Sequence, residues 1–359
     1  MAYKKQKVCV VFGGRSSEHE VSRVSAASVI NNLDKDKYKI IMLGITKKGK
    51  WYLYDGKVEK LHDGSWEKDK KHLKNAVISP STYDKGLIVL NDDGTFKKIK
   101  TDIIFPVLHG IYGEDGTVQG LFELCAIPYV GCGVLASSVG MNKIYAKLVF
   151  DSVGLKQAKW LPVYTKDFGK LDEIVSLIED KLGYPCFVKP ANAGSSVGIS
   201  KANDREGLID ALHTAAEHDR QIVVEEAIVG HEVECAVLGN EHVKASGVGE
   251  IVSAIGFYDY EEKYKTDTAQ LLIPANIDEK TAENVRKSAV KAFCALDGAG
   301  LSRVDFFVRE SDGEVIINEI NTLPGFTSIS MYPKLWEKAG IEYPDLLDKL
   351  IELAKIRQK

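Results

Sequence analysis

Arg303-Val304-Asp305 alternates like a strand, so its two charged side chains share one face. Further on, Ile316-Ile317-Asn318-Glu319-Ile320-Asn321 repeats the alternation. The period of two puts Glu319 with Asn321 and turns Asn318 to the opposite face. Two adjacent strands of this kind aim Asp305, Glu319 and Asn321 at one point. Three oxygen donors without His or Cys suit magnesium held together with phosphate groups. The alternative is a salt-bridged strand pair.

Other stretches carry complementary chemistry. Lys189 ends an apolar strand and runs into Pro190-Ala-Asn-Ala-Gly194-Ser195-Ser196-Val-Gly198. Such a loop lets backbone N–H groups close on phosphate oxygens while the lysine supplies a point charge, although the spacing is not a Walker sequence and a flexible hairpin stays open. Val223-Val224 leads into the carboxylate pair Glu225-Glu226, and Gly230-x-Glu232 follows. An edge of this type can read a base through backbone groups, with Glu232 accepting from ribose hydroxyls. In Thr322-Leu-Pro-Gly325-Phe-Thr-Ser-Ile-Ser330-Met331, the Gly325 N–H is placed to face a developing oxyanion. Residues 256–267 are aromatic and charged without periodicity, which suits a closing lid. Leu108-His109-Gly110-x-x-Gly113-Glu114-Asp115-Gly116 follows a buried strand, where open α/β sheets place their ligands. His109 there is either structural or a ligand contact.

The elements that must hold these groups follow from hydrophobic patterning. Val8–Phe12 reads as a buried parallel strand ending at Gly13-Gly14, and Ser17-x-x-Glu20 has the form of a capping box opening a helix to Asn32. Strands are expected at Lys39–Ile45 and Ile103–Leu108, with a helix at Val118–Cys125. Residues 46–100 read as a polar, hairpin-like, solvated insertion with Asp-Gly turns at Asp55-Gly56 and Asp93-Gly94. Helices are expected at Asn142–Val153, Asp172–Leu182 and Asp204–Glu217, and strands at Pro185–Lys189 and Ile222–Glu226. Further strands follow at Glu232–Leu238, Ser302–Val308 and Val315–Glu319. A helix from Asp278 places Val285, Ala289, Ala292, Phe293 and Leu296 on one face, and the last helix does so with Leu346, Leu350 and Leu353.

Several classes are disfavoured. The chain has 359 residues, a length for two or three domains, with 45 % apolar and 27 % charged residues, as in a globular protein. A net charge of -4 argues against nucleic-acid or membrane-surface binding. No apolar run reaches bilayer length. The six cysteines show no C-x-x-C spacing and read as buried thiols of a cytoplasmic protein. Gly44-Ile-Thr-Lys-Lys-Gly49-Lys50 has P-loop spacing, but Trp51 stands where Ser or Thr must hold magnesium. Gly131-x-Gly133-x-x-Ala136, with Asp151 downstream, resembles a dinucleotide fingerprint, but Asp151 ends a helical pattern rather than a strand.

Taken together, the chain resembles the ATP-grasp superfamily and, within it, the D-alanine:D-alanine ligases. The motifs that carry the likeness run in order along the chain: Gly13-Gly-Arg-Ser-Ser-Glu18-His-Glu-Val-Ser22, Leu108-His109-Gly-x-x-Gly-Glu-Asp-Gly-Thr-x-Gln-Gly120, Gly194-Ser-Ser-Val-Gly198, Glu262-Lys263-Tyr264 and Glu319-Ile-Asn321-Thr-x-Pro-Gly325-Phe-Thr. The resemblance implies an α/β fold, α+β in part, with a parallel-sheet N-terminal domain (1–131), a central domain (132–229) and a C-terminal domain (230–359) that clasp ATP, under a lid at 256–270. It implies ATP-dependent joining of two D-alanines through an acyl phosphate, for cell-wall precursor synthesis. Lys143, Lys189 and Lys263 would contact phosphates, Glu225, Glu226, Ala227 and Ile228 adenine, and Glu232 the ribose. Glu226 departs from a common lysine. Asp305, Glu319 and Asn321 would hold two Mg2+ or Mn2+ ions, with K+ as a further activator. Ser195 would link Glu18 and Tyr264. Glu18 would hold the ammonium of the first D-alanine and His109 would border the substrates. Arg303 and the Gly325 N–H would face the oxyanion, and Ser330 and Met331 the second D-alanine. A homodimer is implied. The alternatives are a D-alanine:D-serine ligase, a nicotinamide-dependent oxidoreductase using Gly131–Ala136, and a non-catalytic nucleotide sensor.

Overall fold

Val8 through Phe12 are fully buried, on both faces of the strand they form. That is the burial a parallel central strand requires. In a computed structural model describing residues 5–252 and 270–357, this strand, β1 (Gln6–Gly13), lies between two parallel neighbours, β2 (Tyr38–Ile45) and β7 (Ile103–Val107). Four antiparallel strands, β3 (Trp51–Tyr54), β4 (Leu73–Ile78), β5 (Gly86–Leu90) and β6 (Phe96–Lys100), extend the sheet to seven in the order β6-β5-β4-β3-β2-β1-β7. Residues 46–100 are therefore not merely a solvated insertion. The lysines at 68, 70, 71 and 74 are exposed as expected, but Trp66 is fully buried, its ring 4.9 Å from Phe12 and 6.0 Å from Tyr54. Asp93-Gly94 turns β5 into β6, whereas Asp55-Gly56 leads into helix α2 (Glu59–Asp63) rather than a hairpin. The P-loop-like glycines frame the β2–β3 turn, closed by the Thr46 N–H donating to the Lys50 carbonyl at 2.9 Å, and no helix opens there.

Helix α1 (His19–Asn32) starts at Glu18. Ser17 thus falls outside it, and the expected capping box does not form. The Ser16 hydroxyl accepts the Glu18 N–H at 3.0 Å instead, and Glu20 pairs with Lys47 at 2.7 Å. Helix α3 (Thr117–Leu124) completes this layer, and α4 (Val134–Met141) and α5 (Lys143–Ser152) follow. The side chain of Asn142 caps α5 by accepting the Ile144 and Tyr145 N–H groups.

The second sheet, in the order β10-β9-β11-β8, is antiparallel: β8 (Trp160–Tyr164), β9 (Cys186–Pro190), β10 (Ser200–Ala202) and β11 (Gln221–Glu226). Helices α6 (Leu171–Lys181) and α7 (Arg205–Ala216) cover one face with Val175, Ile178, Leu208 and Leu212. Ile144 of α5 packs against Val223 and Ala191.

The third sheet is antiparallel too: β12 (Gly230–Gly239), β13 (Lys244–Val252), β14 (Gln270–Leu272), β15 (Gly300–Arg309) and β16 (Val315–Asn321), in the order β14-β13-β12-β15-β16. Helix α8 (Glu279–Ala295) covers one face through Val285, Ala289, Ala292 and Phe293. Cys132, Ala136, Ala146 and Phe150 join that cluster, so α4 and α5 brace this sheet as well as the second. On the other face, Ala236, Leu238 and Leu301 share a core with β1 and β7, with α9 (Met331–Lys338) and with α10 (Tyr343–Arg357). Leu346 and Leu350 are fully buried there, while Leu353 is only partly so.

The β15–β16 pairing carries one irregularity that matters for the site. Asp305 opposes Glu319, but Phe306 opposes Ile317, leaving Asn318 as an extra residue. Such a bulge breaks the period of two. Asn318 therefore does not point away: its amide oxygen accepts from Lys189 Nζ at 3.3 Å. Among the described residues no helix is long and apolar enough to cross a membrane. All six cysteines are unpaired; five are buried as expected, and Cys294 is exposed.

Candidate active site

A cavity of about 570 Å3 opens where the three sheets meet. Glu18, His109, Lys143, Ser195, Arg303, Glu319, Asn321, Gly325, Ser330 and Met331 all line it, as do Glu114 and Glu234, which sequence reasoning left without a role. Lys263, Tyr264 and residues 256–269 of the expected lid lie outside the described residues.

One wall comes from the first sheet. Gly13 and Gly14 have φ of +89° and +100°, and a Cβ on Gly13 would strike the Ile45 carbonyl, so only glycine lets the chain turn into Glu18. The Ser195 hydroxyl donates to the Glu18 carboxylate, tying this wall to the loop after β9. Ser195 and Ser196 hold φ of +49° and +59°, an uncommon conformation for non-glycine residues that clusters at ligand clamps. The Gly110 N–H donates to Glu114 Oε2 at 2.7 Å. Burial first, and the Glu18 charge second, raise the Glu114 carboxyl well above the ordinary carboxylate range.

His109 is 4 % exposed and uses both ring nitrogens. Nδ1 donates to the Leu323 carbonyl at 3.2 Å, and Nε2 lies 3.2 Å from the Ser25 hydroxyl, which itself accepts the Phe326 N–H at 3.3 Å. The ring therefore fastens α1 to the 322–327 turn. Burial lowers its pKa from 6.5 to about 4. The unfolded chain takes up a proton below pH 6.5, and the folded one only near pH 4, so folding stability falls with pH across that window. The loss is roughly 3 kcal/mol for this group. Urea titrations at pH 7 and 4.5 should show that drop, and His109→Gln should flatten it; an unchanged pH slope in the variant would contradict this assignment.

The opposite wall is the third sheet. Arg303 Nε and Nη2 donate to the two Asp305 oxygens, each at 2.7 Å, and Nε stands 3.0 Å from Glu234 Oε2. Asn321 Nδ2 donates to Asp305 Oδ2 at 2.9 Å. Burial opposes the guanidinium charge, but Asp305 and Glu234 more than reverse that and raise its pKa well above normal. Lys143 Nζ donates to the Ala193 carbonyl at 2.7 Å and sits 3.8 Å from Glu319 Oε2. Asp305 and Glu319 are thus in register on neighbouring strands with Asn321 beside them. These all-oxygen donors fit a hard divalent cation. Among the described residues no group of three His, Cys, Asp or Glu is arranged to hold a metal ion.

Behind this wall, Lys189 Nζ donates to Glu225 Oε2 at 2.8 Å, and Lys147 Nζ lies 3.2 Å from Glu225 Oε1. The Glu225 carboxylate thus faces two lysines. Burial alone would raise its pKa; the lysine charges outweigh it and bring it to about 2. Glu226 Oε1 accepts the Lys159 N–H at 2.8 Å. Glu226, Ala227 and Ile228 border a smaller hollow of about 450 Å3 with Arg309. Glu232 stands on β12 between β13 and β15. Lys189, Glu225, Glu232 and Asp305 line neither space. Lys147 was missed, although its spacing four residues after Lys143 places both on one helix face. Asp151 accepts from Gln157 Nε2 at 2.6 Å at the end of helix α5, not at the end of a strand as a ribose-binding acid would require.

The 322–333 segment closes the cavity. Ser330 Oγ accepts the Thr327 N–H at 3.0 Å, and Met331 packs so tightly on β13 that a Cβ on Gly249 would lie 2.6 Å from its sulfur.

Two antiparallel sheets, with Lys189 of one reaching Asn318 of the other and Lys143 of α5 facing Glu319, form the ATP-grasp fold, and solved structures of that class superpose along the chain. Residues 7–132 match the family described as D-ala D-ala ligase N-terminus, and residues 149–352 that described as D-ala D-ala ligase C-terminus. The chain belongs to the D-alanine–D-alanine ligase family. The D-alanine–D-alanine ligase of Acetivibrio thermocellus is 54 % identical over 98 % of this chain and 96 % of its own. That of Ruminiclostridium cellulolyticum is 56 % identical over 98 % and 95 %. Among solved structures, the VanG D-Ala:D-Ser ligase from Enterococcus faecalis is 41 % identical, with a TM-score of 0.89 over 98 % of this chain and all of its own. The ligase from Coxiella burnetii is 36 % identical, with a TM-score of 0.85 over 99 % and 96 %.

Proposed function

We propose that the protein joins two D-alanines into D-alanyl-D-alanine at the expense of ATP, supplying a precursor of the cell wall. The observation that carries this reading is the meeting of Glu18–Ser195 with Arg303, Glu319 and Asn321 in one cavity. A carboxylate is a poor acylating agent, so ATP first phosphorylates the first D-alanine to an acyl phosphate. The amine of the second then attacks, and phosphate leaves. Glu18, held by Ser195, binds the ammonium of the first D-alanine. Lys143 and Lys189 meet the phosphates. Arg303 and the Gly325 N–H oppose the charge that builds on the attacked carbonyl oxygen. Asp305, Glu319 and Asn321 would hold Mg2+ or Mn2+, which would neutralise phosphate charge. The divisions 1–131, 132–229 and 230–359, a cytoplasmic location suggested by unpaired thiols, and a homodimer belong to the same reading.

A structure described as a D-Ala:D-Ser ligase superposes on 98 % of the chain, so the second amino acid has a specific alternative. Met331, 4 % exposed and packed on Gly249, offers an apolar wall that favours a methyl over a hydroxymethyl group. Phosphate release from ATP and Mg2+ with D-alanine, D-serine, L-alanine or D-lactate tests the reading. D-Alanine should give the fastest release. Faster release with D-alanine plus D-serine, and a mixed dipeptide, would establish the alternative, and release indifferent to any D-amino acid would remove the ligase reading.

A further inference from the structure

Lys147 is 2 % exposed and borders neither the large cavity nor the smaller hollow. Its ammonium group ends 3.2 Å from Glu225 Oε1, while Glu225 Oε2 takes the ammonium of Lys189 at 2.8 Å. Lys189 also reaches Asn318 at the β16 bulge. Four elements, α5, β11, β9 and β16, thus meet through one carboxylate and two amines. Burying a lysine is costly unless a partner compensates it, and a simple pair of Lys189 with Glu225 would already satisfy both groups. Such a pair, however, is neutral, and a neutral pair offers little to a polyphosphate. The second lysine changes the sum: burial lowers the Lys147 pKa and the Glu225 charge opposes that, and with both ammonium groups charged the three groups carry one net positive charge.

We propose that Lys147 is a positioning residue for nucleotide binding, neutralising Glu225 so that Lys189 stays aimed at the third sheet and keeps its charge for a phosphate oxygen. This rests on the reading that Lys189 meets ATP phosphates. The role is electrostatic and acts through Glu225, and Lys147 touches no substrate.

The test is calorimetric titration with ADP and Mg2+, together with KM for ATP and for D-alanine, in four variants of the full chain. Lys147→Met should weaken ADP binding and raise KM for ATP by about ten- to a hundredfold, while KM for D-alanine changes by less than about threefold. Combining Lys147→Met with Glu225→Gln removes both charges, leaves Lys189 with its own, and should bind ADP more tightly than Lys147→Met alone and within about threefold of Glu225→Gln alone. A double variant no tighter than Lys147→Met alone, or a Lys147→Met protein with parental affinity, would overturn the proposal. If Lys147→Met fails to fold, Glu225→Gln serves as the reference: adding Lys147→Met to it should cost less than about threefold, and a larger loss would likewise overturn it. Lys189→Met separates the underlying reading. Parental nucleotide affinity in that variant would remove Lys189 from the phosphate site, whatever Lys147 does.

Discussion

A Glu319→Ala protein should fold normally and turn over at least about a thousandfold more slowly than the parent. Glu319 stands opposite Asp305 on β16, beside Lys143, with its side chain 31 % exposed. Truncation there removes a carboxylate from the cavity wall without opening a void in a core, so the melting temperature should move little. What is lost, on the proposed reading, is an oxygen donor at the point where phosphate charge would gather. The checks are the rate of phosphate release and the binding of Mn2+ with ADP, followed by electron paramagnetic resonance. Parental turnover, or Mn2+ binding as tight as before, would remove Glu319 from the metal set.

Replacing Arg303 by methionine should damage both stability and rate. Its guanidinium lies between Asp305, 3 % exposed, and Glu234, 4 % exposed. Removing it strands two buried carboxylates on adjacent strands, which costs about 3–5 kcal/mol. The same group lines the cavity in which the proposed reaction forms its oxyanion, so kcat should fall about a hundredfold or more. Arg303→Lys keeps the charge but loses the two-pronged contact with Asp305. It should recover part of the stability and little of the rate. Urea midpoints and steady-state rates read the two effects separately, and a methionine variant as stable as the parent would show that Arg303 does not compensate those acids.

The strands that end at the site were legible because each is a short apolar run leading into its polar residues: β1 into Gly13-Gly14, β9 into Lys189, β11 into Glu225, and β16 into Asn321. Two other strands hid behind residues that disfavour strands. Pro162 interrupts β8, and Gly247 and Gly249 interrupt β13, where close packing of Met331 demands the second glycine. The 46–100 stretch looked polar because its outermost strand, β6, carries Lys97, Lys98 and Lys100 along an exposed edge, a protection against pairing with another sheet. That edge masked Trp66, which anchors the same stretch in the core. Asn318 was misplaced because a bulge depends on the partner strand, and one strand's alternation carries no record of it. Glu114 and Lys147 escaped notice for a similar reason. Their meaning comes from what they face across elements, Glu18 for one and Glu225 for the other.

Helix α10 packs Leu346, Leu350 and Ile351 onto the same core as Val8, Val10 and Phe105. Residues 343–357 therefore seal a layer whose central strand lies far upstream, at Gln6–Gly13. During synthesis on the ribosome, one face of that layer stays uncovered until residues 343–357 leave the exit tunnel. Until then the nascent chain carries a sticky apolar surface of the kind that chaperones shield.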